Sequence, residues 1–270
     1  MNIIIADLYV EEKDMDRPWN SLQKNPVQTA KMQRGKADLG LLLVGMLWGL
    51  GFVFVKIGLN EGITPFYLLT IRFLVAFIIL FVIFRSRLKN IEKSDLKNGF
   101  IIATFLFLGF AFQISGAALT TASNNAFFTA INVIIVPYIF WAIHKHVPNI
   151  FSFIAAGLCI LGVGILSFDS KMQLNQLNEG DILTIISALF FAFHIAFTGF
   201  LSTKSEPIKL NVIQMGFASV YSVIGLMIFS NTEKIQILKG MSLVSILYIS
   251  IFATAVCFFL QTYCQKNTTS

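Results

Sequence analysis

Eight apolar runs, each about 20 residues long, constrain the fold of this chain more than any other feature of its sequence. Each run can cross a hydrocarbon core of about 30 Å as an α-helix, and none alternates polar and apolar residues as a barrel strand does. The sequence therefore predicts an all-α polytopic membrane protein. The predicted spans are about 38–58, 65–84, 99–119, 122–143, 150–168, 181–201, 208–229 and 241–263.

The charge content agrees with a chain that faces lipid. Charged residues make up 13% of the sequence and hydrophobic residues 56%, whereas soluble domains contain about 25% charged residues. The net charge of +6 comes largely from Lys and Arg in short loops between the apolar runs, where they set membrane topology. A lipid bilayer is therefore the expected partner, and nucleic-acid binding is not expected.

Lys and Arg are distributed unequally between the two sets of loops. One set, which includes the segment before the first span, carries most of them, and the other carries only Lys56, Lys171, Lys234 and Lys239. Because positive residues concentrate on the cytoplasmic side, we predict a multi-pass protein of the cell (plasma or inner) membrane with a cytoplasmic N-terminus. Residues 1–36 lack the features of a signal peptide and are predicted to form a disordered cytoplasmic tail.

The spans form an internal repeat with an offset of about 143 residues. Matching positions are Asp38 with Asp181, Trp48 with Phe191, Pro65 with Pro207, and Arg72 with Gln214. Because the first unit has five spans, an odd number, a second copy enters the membrane with the opposite orientation, as in many secondary transporters. We predict a first repeat of five helices over 37–169 and an incomplete second repeat of three helices over 180–270. The fold is then an inverted repeat of five-helix units, with eight helices of a ten-helix parent present.

Several short motifs, in order along the spans, carry a resemblance to a known family. They are Gly45-Met46-Leu47-Trp48-Gly49-Leu50-Gly51-Phe52-Val53-Phe54-Val55-Lys56, Arg72-Phe73-Leu74, Asn125-Ala126-Phe127-Phe128 with Val136-Pro137, and Leu260-Gln261-Thr262-Tyr263-Cys264-Gln265-Lys266. With these motifs the chain resembles the EamA-type family of the drug/metabolite transporter superfamily over about 38–270. The resemblance implies ten helices in two five-helix halves and the export or exchange of metabolites.

Polar side chains inside the spans are the candidates for a substrate cavity, because such groups are costly in hydrocarbon and usually face the bundle interior. Arg72 is either an anion-attracting group in the pathway or a structural cation satisfied by carbonyls and neighbouring helices. Lys56, near the end of its span, is expected to snorkel to the interface. The candidates are Trp48, Arg72, Gln113, Asn125, Thr129, Asn132, His194 and Gln214.

The fourth span carries the densest group of candidates. Asn125, Thr129 and Asn132 are spaced i, i+4 and i+7, which places them on one helical face. This face either lines a cavity and hydrogen-bonds a solute, or it bonds to neighbouring helices, which contributes about 0.6–2 kcal/mol for each bond. Pro137 on the same helix is expected to produce a kink, which helices in membranes tolerate.

The other candidates are single residues within apolar spans. The polar ones in the third, sixth and seventh spans either contact the cavity or pack against neighbours, and of these only His194 could titrate near neutral pH. Trp48, at mid-span depth, either lines the cavity or packs in the core. Gly45 and Gly49 form a GxxxG pair that is expected to permit a close helix approach.

No sequence motif supports catalysis or metal binding. No Asp or Glu lies in the middle of a span, no HExxH or P-loop pattern is found, and the cysteines lack the spacing of a zinc or disulfide site. We therefore expect no enzyme activity, cofactor or metal. The predicted function is a secondary transporter of small metabolites such as amino acids, working by alternating access between two inverted repeats. The alternative is a truncated membrane fragment that does not transport.

Overall fold

The computed structural model describes residues 26–144, 177–202, 204–229 and 238–265, together with a few residues between 150 and 161. Every regular element in these ranges is helical. A short 3-10 helix, Arg85–Leu88, follows the second helix, and a π-helix, Tyr248–Val256, joins the last two. The α-helices are α1 (Pro26–Asn60), α2 (Pro65–Phe84), α3 (Lys93–Leu119), α4 (Ala122–Ala130), α5 (Asn132–His144), α6 (Glu179–Leu201), α7 (Pro207–Phe229), α8 (Met241–Leu247) and α9 (Cys257–Gln265).

Seven stretches of the described chain are long and apolar enough to cross a membrane, which confirms the all-α polytopic class. They correspond to the first four and the last three predicted spans. Helices α4 and α5 form the fourth span, and α8, the π-helix and α9 form the eighth. The predicted fifth span, about 150–168, lies largely outside the described residues, as do residues 1–25 of the predicted tail. Residues 26–36, which were expected to be disordered, belong to helix α1 in this structure.

The starts of several helices follow local sequence signals. At the start of α3, the backbone N–H of Glu92 donates to the Asp95 carboxylate at 3.1 Å. At the start of α6, Asn178 and Asp181 form the reciprocal pair of a capping box, with bonds of 2.9 and 3.1 Å. These caps satisfy backbone N–H groups that lack an intrahelical partner. Helix α3 therefore begins several residues before the predicted start of the third span.

The fourth span is interrupted at Ile131, where α4 ends and α5 has not yet begun. Just before the break, the Thr129 hydroxyl donates to the carbonyl of Asn125 at 2.7 Å. Such bonds to the carbonyl four residues earlier often bend helices. Pro137 lies inside α5, so the deviation from a regular helix begins six residues before the proline that the sequence singled out.

The eighth span contains the π-helix at its centre. Within it, the Thr254 hydroxyl donates to the carbonyl of Ile249, five residues earlier, at 2.7 Å. π-Helical turns are rare and are frequently found at functional sites. Nothing in the apolar pattern of this span distinguishes a π-helix from a regular α-helix.

The packing of the helices is compatible with an inverted repeat. Helix α3 packs most extensively on α6, and α2 packs on α7. Helix α1 contacts the eighth span, where the Trp48 indole N–H donates to the carbonyl of Ala253 at 3.0 Å. In an inverted repeat, the first, second and third spans are equivalent to the sixth, seventh and eighth. The contact between the third and sixth spans then corresponds to the contact between the eighth and first. The contact between the second and seventh corresponds to itself. The contacts are therefore consistent with two halves related by a two-fold axis in the membrane plane.

Close backbone contact occurs between α3 and α6 rather than at the GxxxG pair. A methyl group added at Gly116 would lie 2.6 Å from the carbonyl oxygen of Gly180, and one at Gly180 would lie 2.6 Å from that of Gly116. By contrast, a methyl group at Gly45 or Gly49 would meet no atom of the described chain within 4 Å. The expected close approach at Gly45 and Gly49 is therefore not found among the described residues.

Candidate functional site

A cavity of about 200 Å³, which we call the central cavity, lies between the helices α1–α5 and the helices of 179–265. Apolar side chains form most of its wall. A cavity of about 150 Å³ in another protein holds benzene, so in proportion this one can hold a solute of roughly eight non-hydrogen atoms. The larger apolar residues in the wall are Phe52, Val55, Phe110, Phe191, Ile195, Ile249 and Phe258.

The structure brings seven of the eight candidate residues to this one cavity. The exception is Gln214, which lies behind His194 and is fully buried. The seven residues come from the first, second, third, fourth and sixth spans, so no local pattern could have joined them. They are Trp48, Arg72, Gln113, Asn125, Thr129, Asn132 and His194.

Among the described residues that line the cavity, Arg72 is the only Lys, Arg, Asp or Glu. The wall also contains His194. Arg72 is 4% exposed. Its Nε donates to the Thr254 hydroxyl at 2.6 Å, and its Nη2 donates to the carbonyl of Ala253 at 3.4 Å. One face of the guanidinium lies 3.7 Å from the ring centroid of Phe110. The π-helix therefore holds one edge of the guanidinium in place.

The charge of Arg72 has no counter-ion in the described part of the chain. The ion pair found there joins Lys209 to Glu206 at 3.7 Å, at the start of α7. Carbonyl, hydroxyl and ring contacts stabilise a buried cation only partly. The two interpretations of Arg72 made from the sequence are thus compatible, because the side chain is anchored structurally and its charge is still uncompensated.

A hydrogen-bonded network connects the third, fourth and sixth spans beside the cavity. The Asn125 side-chain amide donates to the carbonyl of Gln113 at 3.0 Å and to the Thr184 hydroxyl at 2.8 Å. The side-chain amide of Gln113 donates to the Thr129 hydroxyl at 3.1 Å. These bonds fix the orientation of the two amides, so their polar atoms are presented to the cavity in a defined arrangement.

His194 links the cavity to a buried glutamine. Its Nε2 lies 3.1 Å from the Oε1 atom of Gln214 and 3.4 Å from the Thr198 hydroxyl. The ring meets Phe258 edge to face, with centroids 5.7 Å apart. The Nε2 atom of Gln214 is buried without a hydrogen-bond partner among the described residues. Gln214 is therefore linked to the cavity through the imidazole of His194.

Trp48 both lines the cavity and packs in the core. Its indole N–H donates to the carbonyl of Ala253, which also accepts from Arg72. Its ring lies 5.3 Å from that of Phe258, measured between centroids. The carbonyl of Ala253 thus joins the first, second and eighth spans at the cavity wall.

Gln261 is a cavity residue that the sequence reasoning missed. It lines the cavity, is 3% exposed, and its Oε1 atom has no hydrogen-bond partner among the described residues. The signal that selected Gln113, a lone polar residue in an apolar span, applies equally to Gln261. A buried acceptor without a partner carries a cost of about 1–3 kcal/mol, which a bound solute could offset.

Lys56 behaves differently from the expectation that it would snorkel to the interface. Its Nζ donates to the carbonyls of Ala117 and Thr120 at 2.8 and 2.7 Å. Those carbonyls belong to the end of α3, where a cation interacts favourably with the helix dipole. The Thr120 hydroxyl in turn donates to the buried Asp181 carboxylate at 2.6 Å, so this group ties together the first, third and sixth spans.

The chemistry of the central cavity suits binding. No carboxylate is among its described lining residues, and the described chain contains no group of three or more residues placed to hold a metal ion. The described wall contains one guanidinium, several side-chain amides, a hydroxyl and an imidazole, and the rest of it is largely apolar. Small ligand sites commonly combine apolar walls with a few placed polar groups.

Comparison with known proteins gives a consistent result. The model of the EamA-like transporter family matches residues 35–168 and 178–270. An uncharacterized transporter from the archaeon Archaeoglobus fulgidus is 35% identical over 239 residues, which cover 88% of this chain and 72% of the relative. A second uncharacterized transporter from the same organism is 25% identical over 244 residues, covering 87% and 82%. A solved structure described only as a crystal structure of a protein has a TM-score of 0.67 at 12% identity, covering 86% of this chain and 80% of the other.

The seven apolar spans and the chamber between the two groups of helices define a multi-pass membrane transporter. More specifically, the chain belongs to the EamA-like transporter family. This confirms the resemblance found in the short motifs of the first, second, fourth and eighth spans. The names of the family and of the relatives point to transport and not to catalysis.

Proposed function

We propose that the protein is a secondary transporter of small metabolites, such as amino acids, and that the central cavity is its solute site. The observation that supports this most directly is the convergence of polar side chains from separate spans on one largely apolar chamber. Transporters built from inverted repeats bind their substrates near the midplane, between the repeats.

In this proposal the two repeats, 37–169 and 180–270, move against each other and expose the cavity to one side of the membrane at a time. The symmetric contacts between the first and eighth spans and between the third and sixth support such a movement. The unequal distribution of Lys and Arg supports a cytoplasmic N-terminus in the cell membrane.

Solute flux into proteoliposomes tests the proposal. The purified full chain is reconstituted, and the uptake of a panel of labelled amino acids and small organic acids is compared with uptake into protein-free vesicles. We expect at least one solute to enter faster with protein, and Asn132→Leu, which changes the cavity wall, to reduce that uptake at least tenfold.

The control variant is Thr104→Val, because Thr104 lies on α3 and outside the central cavity. It should leave uptake within about twofold of the wild-type value. Uptake equal to that of empty vesicles for the whole panel, or an Asn132→Leu variant as active as the wild type, would contradict the proposal.

A further inference from the structure

We propose that the central cavity selects small organic monoanions over zwitterionic amino acids and neutral amides. The preferred solutes are monocarboxylates about the size of leucine whose remaining atoms are apolar. The inference rests on the proposed function, the transport of small metabolites, and within that class it ranks monocarboxylates above the amino acids given there as the example. It is carried by the uncompensated charge of Arg72 and by the composition of the wall around it.

Within the described residues, the positive charge of Arg72 is not balanced. Arg72 is 4% exposed, and its Nε and Nη2 atoms bond to a hydroxyl and a carbonyl, both neutral. Its Nη1 makes no hydrogen bond to a described residue. A carboxylate binds a guanidinium through parallel hydrogen bonds and neutralises it, so an anionic solute supplies what the described chain does not.

The positive end of an amino acid finds no partner of opposite charge in the described wall. An ammonium group taken out of water needs a carboxylate or several well-placed acceptors. The described wall of the cavity contains no Asp or Glu, and its charged group is the Arg72 guanidinium, a cation. Its buried acceptor without a partner among the described residues is the Oε1 atom of Gln261, a single uncharged atom. An α-ammonium group would therefore be repelled, whereas a solute with a carboxylate alone leaves the filled site neutral.

The shape and polarity of the remaining wall also limit the solute. Phe110 covers one face of the guanidinium, and the rest of the chamber is formed largely by aromatic and aliphatic side chains. A volume of about 200 Å³ fits a whole solute of roughly eight non-hydrogen atoms. Small dianions are disfavoured, because a second carboxylate would face this apolar wall without a partner.

A matched series of probes tests the charge requirement on the wild-type protein. The probes are 4-methylpentanoate, its neutral amide 4-methylpentanamide, and leucine, which is 4-methylpentanoate with an added α-ammonium group. Isothermal titration calorimetry of the full chain in lipid nanodiscs at pH 7 measures the Kd of each. We expect the carboxylate to bind at least tenfold more tightly than either the amide or leucine.

Two variants locate the source of the preference. Arg72→Gln removes the charge and should reduce the preference for the carboxylate over the amide to within about twofold. Arg85→Gln makes the same substitution at an exposed arginine of the 3-10 helix and should keep the full preference. Because Arg72 also anchors the π-helix, the wild-type series decides the matter even where Arg72→Gln fails to fold.

The outcomes separate this inference from the proposed function. Equal or tighter binding of the amide or of leucine by the wild type overturns the charge assignment, as does a preference that survives in Arg72→Gln. If such a solute still crosses the vesicle membrane and Asn132→Leu stops it, the proposed function stands alone. If no probe binds and no solute of the panel crosses, both fail.

Discussion

At the scale of single residues, the polar groups within the spans fall into two kinds. Lys56 and Asn125 use their donors to hold neighbouring helices together. Arg72 and Gln261 retain capacity that the described chain does not use, a charge in one case and an acceptor in the other. Groups of the second kind cost stability in the empty protein and favour the binding of a complementary solute.

Gln261 offers a prediction in which stability and activity separate. Replacing Gln261 with Met keeps the side-chain length and removes a buried acceptor that has no partner in the described chain. We expect the melting temperature to be unchanged or slightly raised, because the cost of the unsatisfied acceptor, about 1–3 kcal/mol, is lost. We expect solute uptake to fall severalfold, because the polar amide of Gln261 is lost from the cavity wall. Thermal unfolding and proteoliposome uptake, measured on the same preparation, check both parts.

Gln113→Met is the matched comparison, because the side-chain amide of Gln113 does donate to Thr129. It should lower both the melting temperature and the uptake. If Gln261→Met loses stability and uptake together in the same way, Gln261 is a packing residue and its assignment to the solute site is wrong.

At the scale of helices, the sequence predicts the spans well and their irregularities poorly. Runs of apolar residues define helices of membrane length because every backbone group must be satisfied internally in lipid. The break at Ile131 and the π-helix Tyr248–Val256 change this pattern without changing its apolarity. Both contain a local hydroxyl-to-carbonyl bond, from Thr129 to Asn125 and from Thr254 to Ile249, and the apolar pattern does not reveal such bonds.

The glycines give a second prediction, at the contact between α3 and α6. Gly116→Ala places a methyl group 2.6 Å from the carbonyl oxygen of Gly180, so the two helices must separate. We expect a loss of about 1–3 kcal/mol, the usual cost of overpacking, seen as a lower melting temperature in nanodiscs. Gly45→Ala is the matched control, since its methyl group meets nothing in the described chain within 4 Å.

Gly45→Ala should leave the melting temperature unchanged or raise it slightly, because alanine in a helix is more favourable than glycine by roughly 0.5–1 kcal/mol. The opposite result, a destabilising Gly45→Ala beside a neutral Gly116→Ala, would mean that the close contact lies at the GxxxG pair after all.

For the chain as a whole, the packing of the helices decides which residues meet. The identity of the polar candidates could be predicted residue by residue, since any polar group deep in a span must face inward. Their assembly into one cavity could not be predicted from the sequence, because it depends on which helices pack against each other. Gln214 and Gln261 show the limit, since both are lone glutamines in apolar spans and only Gln261 lines the cavity.

The central claim is that solute crosses the membrane through the central cavity. Its most direct test is a single cysteine at Ala126, a lining residue of the fourth span, with Cys159, Cys257 and Cys264 replaced by alanine. A membrane-impermeant thiol reagent is applied to proteoliposomes, and uptake is measured before and after. Glu61→Cys, at an exposed position after α1, serves as the control for labelling outside the cavity.

We predict that labelling at position 126 abolishes uptake and that excess solute slows this labelling, whereas labelling at position 61 leaves uptake unchanged and is not slowed by solute. Uptake that continues at the wild-type rate with position 126 fully labelled would contradict the central claim.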